Sequence, residues 1–306
     1  MKIVIVGLGY VGVTAAACIS RQGHSVVGVD TNEQKVESIN SGRAPITEPM
    51  VDEMIASAVH AGQLAASTHL PSLHDTDMVI VCVGTPSASD GSHNMGFIAE
   101  SARQIAASVV TRNSGKDPIA VTFRSTFRPG TMESLIGPIF AEALGDSYAD
   151  RVELIYNPEF LRESTAVSDY FAPPKIVIGT RNGELSQVMA ELNSGIEAPT
   201  FYVPFREAEV TKFIDNTWHA VKVAFANEIG RVCSAHEVDA DLAHAIFVSD
   251  TKLNISPYYT RPGGAFGGSC LPKDVRAMQF ISRSAGVRTE LIDSLLQSND
   301  SHKAFQ

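Results

Sequence analysis

The first thirty residues alternate between unbroken apolar runs and stretches broken by glycine. Residues 3–6, Ile-Val-Ile-Val, contain no polar position, as a strand buried on both faces of a parallel sheet requires. Three glycines follow within six residues, and residues 13–21 then continue with the small and apolar side chains of a helix that stops at Gly23. A second apolar run, residues 25–29, ends in an acid at Asp30. Further strand-like runs at 77–83, 119–124, 154–156 and 176–178 are separated by mixed stretches of helical length. Alternation of this kind predicts an α/β fold with a doubly wound sheet of Rossmann type. After Pro204 the texture changes, because neither Pro nor Gly occurs from residue 206 to 229, room for a helix of roughly six turns. The expected organisation is a Rossmann-like domain over residues 1–203 and a helical domain built on that long helix over residues 204–306.

The glycines carry the first chemistry. Gly7-Leu8-Gly9-Tyr10-Val11-Gly12 matches GxGxxG between a strand and a helix. Gly7 and Gly9 then permit a tight turn and close approach of a pyrophosphate, Tyr10 and Val11 open the helix against it, and Gly12 lets helix and strand pack. Asp30, about 20 residues on, is placed to bind ribose hydroxyls and repels a 2′-phosphate, so NAD is expected rather than NADP. Lys35 is the nearby cation that tempers this preference. The competing reading is a secretory signal, with Lys2 ahead of an apolar run, but the glycines interrupt that run. Gly84-Thr85-Pro86 and Ser125-Thr126 end two of the later strands, where loops of an open α/β sheet line its crevice. Thr126 there either meets a ligand or caps the next helix, beyond Pro129-Gly130.

Composition narrows the partners. The chain has 306 residues, 44% hydrophobic, with a formal net charge of −10, which disfavours nucleic acid because such binders need a basic stripe. Cys18, Cys82, Cys233 and Cys270 are far apart and form no CxxC pair, so neither a disulfide framework nor a zinc knuckle is indicated. Cys270 stands out. It follows Gly267-Gly268-Ser269 and precedes Leu271-Pro272-Lys273-Asp274, so a thiol, an ammonium and a carboxylate fall within five residues. A thiolate there would gain from the cation and from the helix start marked by Pro272. The alternative is a buried structural cysteine. Glu159 and Glu163 would share one face if their segment were helical, and on the long helix Lys212, Asn216, His219 and Asn227 fall on one stripe, with Val223 the apolar exception. Each set reads equally as a solvated face. No histidine pair has helical metal spacing, so no metal is expected. Arg261 could pair with phosphate.

These motifs, in this order, resemble the nucleotide-sugar 6-dehydrogenase family: residues 7–12, Val83-Gly84-Thr85-Pro86, Arg124-Ser125-Thr126, residues 157–163, the stripe from Lys212, and residues 267–274. Residues 216–228 and 258–266 resemble the GDP-mannose branch, of alginate type, more than the UDP-glucose branch. The resemblance implies oxidation of a sugar C6 alcohol to a carboxylate with two NAD molecules in turn, through a thiohemiacetal and a thioester on Cys270. It implies that Lys212 and Asn216 stabilise oxyanions, that Asp274 and Thr126 move protons, that Glu159 orients the hydrolytic water and that Glu163 lies near cofactor and sugar. It also implies that His219, Asn227, Tyr258, Tyr259, Gly267 and Lys273 surround the nucleotide sugar, and that Arg261 reaches the neighbouring site of a homodimer; the separated cysteines make a reducing cytoplasm the expected location. No nucleic-acid or membrane partner is expected. Relatives continue past the position of Gln306 through a linking helix, for which residues 291–306 read as the start, into a further nucleotide-binding domain, so a truncated sequence is expected. Gly264 stands where the GDP-mannose branch usually has a larger side chain. Two other readings stand beside this one: an NAD-binding fragment without turnover, and a 3-hydroxyacid-type dehydrogenase that needs no thiol.

Overall fold

The computed structural model describes residues 1–86, 94–112, 117–256, 263–268 and 271–305. These divide into two compact units, Met1–Ile214 and Asp215–Gln306.

In the first unit one sheet takes strands β1 (Lys2–Val6), β2 (Ser25–Val29), β3 (Leu64–Ser67), β4 (Met78–Val81), β5 (Ile119–Phe123), β6 (Val152–Tyr156), β7 (Ile176–Thr180) and β8 (Thr200–Pro204) in the order 3-2-1-4-5-6-7-8. The pairing is parallel from β3 through to β6, in a register that aligns Val29, Val6, Val81, Phe123 and Tyr156. The residues that follow those five therefore share one edge of the sheet. The chain reverses its winding between β1 and β4, and in open α/β sheets that switch point opens a crevice at the strand ends. The apolar run of residues 3–6 is thus a central strand, which excludes the signal-peptide reading.

Side chains alternate between the two faces, as a strand's period of two dictates. Val4, Val79, Val121 and Phe123 pack beneath α4 (Gly96–Val110) and α5 (Gly137–Leu144), the latter entered through one wider, π-type turn over Met132–Ile136. Ile3, Ile5, Ile80 and Ile155 pack on the other face beneath α1 (Tyr10–Arg21), α3 (Val51–His60), α6 (Ala166–Phe171) and α7 (Gln187–Leu192). The short α2 (Glu33–Asn40) is capped by Asn32, whose side chain accepts from the N–H groups of Gln34 and Lys35.

The last two strands break the parallel run. β7 runs antiparallel to β6 and touches it at one pair, Tyr156 opposite Gly179, while β8 is parallel to β7. The strand β8 and the edge strand β3 carry too many exposed or small residues to announce themselves as apolar runs. The helix α8 (Phe205–Ala235) follows β8 at once and is continuous through Gly230.

The second unit holds the rest of α8 with α9 (Ala240–Ser249), α10 (Leu271–Ser284) and α11 (Glu290–Phe305). Its internal ties include buried polar ones. The buried Glu228 carboxylate accepts the N–H groups of Leu291 and Ile292 at the start of α11, and Asn299 exchanges two hydrogen bonds with the backbone of Phe266. Large apolar side chains such as Leu242, Ile246 and Phe280 stay exposed.

Candidate active site

The glycine turn is built as a seat for backbone contact. Gly7 has φ +97°, and a Cβ there would sit 2.8 Å from the Val83 nitrogen. A Cβ on Gly12 would lie 1.9 Å from the Gly7 carbonyl oxygen, so α1 can approach β1 this closely only without a side chain. At Gly9 the reverse holds: nothing lies within 4 Å of the position a Cβ would take. No side chain caps α1, whose first-turn N–H groups therefore remain donors toward that open space. It forms a cleft of about 280 Å³, walled by Gly9, Tyr10, Val11, Thr85, Thr126 and Glu159.

Asp30 closes the turn from the β2 side. One carboxylate oxygen accepts the Leu8 N–H at 2.8 Å and meets the Lys35 ammonium at 3.3 Å, while the other accepts the Asn32 N–H. The Thr85 hydroxyl donates to the Thr126 carbonyl at 2.8 Å, and the Ser125 hydroxyl donates to the Val83 carbonyl, so the loops after β4 and β5 are tied to each other. Thr126 does not cap the next helical segment, whose cap position is Thr131. It lines the cleft wall. A bared helix start, a glycine with room beside it and a carboxylate at the end of β2 fit a dinucleotide. Cys82 also lines this cleft, and burial pushes its thiol up to about 12, as it does that of Cys18. Neither is a nucleophile near neutral pH.

Beyond β6 the chain is neither helix nor strand from Asn157 to Arg162 and turns at Glu163, so Glu159 and Glu163 do not share a helical face as expected. Pro158 and the anchoring of Asn157 explain this. Asn157 donates its backbone N–H to Phe123 and its side-chain amide to the Val177 carbonyl, and it accepts from the Arg124 guanidinium. Glu159 then points at α8. The Lys212 ammonium donates to the Glu159 carboxylate at 2.8 Å and to its carbonyl at 2.7 Å, with both side chains less than 15% exposed. The other carboxylate oxygen accepts the Leu161 N–H. Lys212 arrives there because Phe205, Ala208, Glu209 and Lys212 form the inward stripe of α8, the first three of them buried. Glu163 is exposed in the turn.

In the second unit Asn216, His219 and Asn227 are exposed on α8, and Gly267 has no atom within 4 Å of an added Cβ. Lys273 and Asp274, in the first turn of α10, form an exposed pair at 3.4 Å. Cys270, Tyr258, Tyr259 and Arg261 lie outside the described residues. Among the described residues no group of three or more His, Cys, Asp or Glu side chains could hold a metal. No helix among them is long and apolar enough to cross a membrane. Sequence reasoning gave no role to Arg124 or Asn157, although both stand in quoted motifs, nor to Glu48, an acid between α2 and α3 with no spacing signal.

Comparison with known proteins agrees with this geometry. Residues 1–196 match the NAD binding domain of the UDP-glucose/GDP-mannose dehydrogenase family, and residues 206–301 match the central domain of the same family. The chain is 40% identical over 302 residues to the GDP-mannose 6-dehydrogenase of Pseudomonas putida, which covers 98% of this chain and 68% of that protein. It is 34% identical to a UDP-glucose 6-dehydrogenase of Haloferax volcanii, covering 98% of this chain and 70% of the relative. A solved ternary complex of GDP-mannose dehydrogenase from Pseudomonas aeruginosa superposes with a TM-score of 0.93 at 38% identity, over 99% of this chain and 69% of the other.

Proposed function

The chain belongs to the UDP-glucose/GDP-mannose dehydrogenase family, and we propose that it oxidises the C6 alcohol of GDP-mannose to the carboxylate of GDP-mannuronate. The observation that carries the reading is the Lys212 ammonium, seated on Glu159 at the wall of the dinucleotide cleft. Gly7, Gly9, Tyr10, Val11 and Gly12 would hold the pyrophosphate of NAD, with Asp30 and Lys35 at the ribose and Thr85, Thr126 and Glu163 toward the nicotinamide side. NAD, when bound, accepts a hydride from C6, and a second molecule does so in turn.

The side chains do the rest. As the first hydride leaves, the C6 hydroxyl gives up its proton toward Asp274 and Thr126, and Lys212 and Asn216 stabilise the oxygen that becomes the aldehyde. The Cys270 thiolate adds to that carbon, forming a C–S bond and an alkoxide that Lys212 again neutralises. Loss of the second hydride leaves a thioester, and water held by Glu159 cleaves it to carboxylate and free thiol. Both Glu159 oxygens already accept one donor, yet each keeps a lone pair for that water. His219, Asn227, Tyr258, Tyr259, Gly267 and Lys273 would bind the nucleotide and sugar.

The exposed apolar side chains of the second unit support a homodimer in which Arg261 reaches the neighbouring site. Cys18, Cys82 and Cys233, free among the described residues, suit a reducing cytoplasm. Because the relatives include GDP-mannose enzymes, an alginate-type polyuronate precursor is the product this reading implies. NADH yield with GDP-mannose and UDP-glucose side by side tests the proposal. Two NADH per GDP-mannose are expected, with Cys270→Ser stalling before the carboxylate. Full carboxylate turnover by Cys270→Ser would refute the thiol mechanism, and preference for UDP-glucose would move the chain to the other branch.

A further inference from the structure

Glu48 is a carboxylate only 6% exposed, and no Lys or Arg among the described residues pairs with it. A buried acid without a cation must be held by donors, since an unmet carboxylate costs several kcal/mol or leaves the interior. Three donors hold this one. The Tyr10 hydroxyl reaches Oε2 at 2.5 Å, the Ser164 N–H reaches the same oxygen at 2.8 Å, and the Ala166 N–H reaches Oε1 at 2.9 Å. Burial pushes its pKa up, but these hydrogen bonds outweigh that and hold the carboxyl below its ordinary range.

The three donors come from two places that no backbone pairing joins. Tyr10 sits inside the glycine turn and lines the cleft. Ser164 and Ala166 lie where the irregular segment that carries Glu159 and Glu163 passes into α6. Strain marks both sides of the junction. Ser164 has φ +70° and Met50, two residues beyond Glu48, has φ +69°, a left-handed region that side-chain-bearing residues rarely adopt. Such conformations persist when neighbouring bonds over-determine them, and at Ser164 the Glu48 bond to its N–H does so.

We propose that Glu48 is a positioning residue that locks the cofactor turn, through Tyr10, to the loop bearing Glu159 and Glu163, so that the two walls of the cleft are set as one piece. The inference rests on the dehydrogenase reading only in taking the glycine turn as the seat of NAD. Gln cannot replace Glu48, because an amide presents one acceptor oxygen and would turn its NH₂ toward at least one of the three donors.

The test is NAD binding to the full chain by calorimetry, well below the melting temperature of each variant. Glu48→Gln and Tyr10→Phe should each raise the NAD dissociation constant about ten-fold, and the double variant should be hardly worse than either, since both cut one linkage. Ser164→Gly, which keeps the N–H and accepts positive φ, should recover part of the loss in the Glu48→Gln background. A lowered melting temperature with unchanged affinity would reduce Glu48 to a stability element, and additive losses would overturn the linkage. If Glu48→Gln does not fold, unchanged affinity in Tyr10→Phe overturns the proposal by itself. Failure of the unaltered chain to bind NAD would instead overturn the reading beneath it.

Discussion

Gly9 and Gly12 stand three residues apart in one motif, yet they answer to different demands. Gly12 has no room for a methyl group, which would meet the Gly7 carbonyl at 1.9 Å, whereas Gly9 has nothing within 4 Å. Gly12→Ala is therefore expected to lower thermal stability, by about 1–3 kcal/mol for an overpacked contact. Gly9→Ala should melt within a degree or two of the parent, because its φ of −78° suits alanine, while losing NAD affinity by an order of magnitude or more in a calorimetric titration. The two readouts, stability and binding, should thus separate between neighbouring glycines. The thiols separate in the same way: burial raises Cys18 and Cys82 to about 12, so iodoacetamide near pH 8 should leave both unmodified in the native chain. Labelling that abolishes turnover should map to Cys270. At this scale the sequence was most legible where type and spacing carry the meaning, as at Gly7, Gly9, Gly12 and Asp30. It was silent at Glu48, because nothing in a lone acid near Pro49 says which distant N–H groups it will meet.

Among the elements, two contacts seat the start of α8 on the sheet of the first unit. Gly179 on β7 lets Ala208 come within 2.7 Å of where a Cβ would stand, so the helix rests directly on the sheet. Glu209, fully buried, accepts the backbone N–H groups of Gly130 and Met132 and ties the helix to the loop that follows Thr126. Burial holds the Glu209 carboxyl above the ordinary carboxylate range, partly offset by those two N–H groups. For an acid so raised, the folded state binds the proton more tightly than the unfolded state, so its contribution to stability is present below the ordinary value and is lost as pH rises through the folded-state value. Glu209→Gln leaves one of the two N–H groups without an acceptor, at a cost of about 1–3 kcal/mol. In urea titrations the deficit should be largest below about pH 4 and shrink as pH rises through the folded-state value, since only the parent titrates. The helix itself was readable from its freedom from Pro and Gly, and β1, β2, β4, β5 and β6 from their apolar runs. The reversal at β7 was not, since strand direction is fixed by pairing partners that a local pattern does not name.

On the scale of the whole chain, both hydrophobic clusters lie before residue 209, and so does the wall of the cleft. A chain ending at Ile214 is expected to melt cooperatively and to bind NAD, whereas the helical unit presents exposed Leu, Ile and Phe side chains and should not form a stable monomer alone. Circular dichroism melts and NAD titration of the two pieces check this. The coarse division into a wound sheet and a helical unit was legible because periodicity changes near Pro204. The number of residues from that proline to Lys212 acts as a ruler. The helix starts at Phe205, buried against the sheet, and presents its ammonium to Glu159 two turns later. Insertion of a single residue in that interval would swing the ammonium about 100° around the axis and carry it about 1.5 Å along it. Seven inserted residues would restore its direction but overshoot Glu159 by about 10 Å. Length here is as strictly specified as side-chain identity, and a substitution scan that never changes the residue count would miss it.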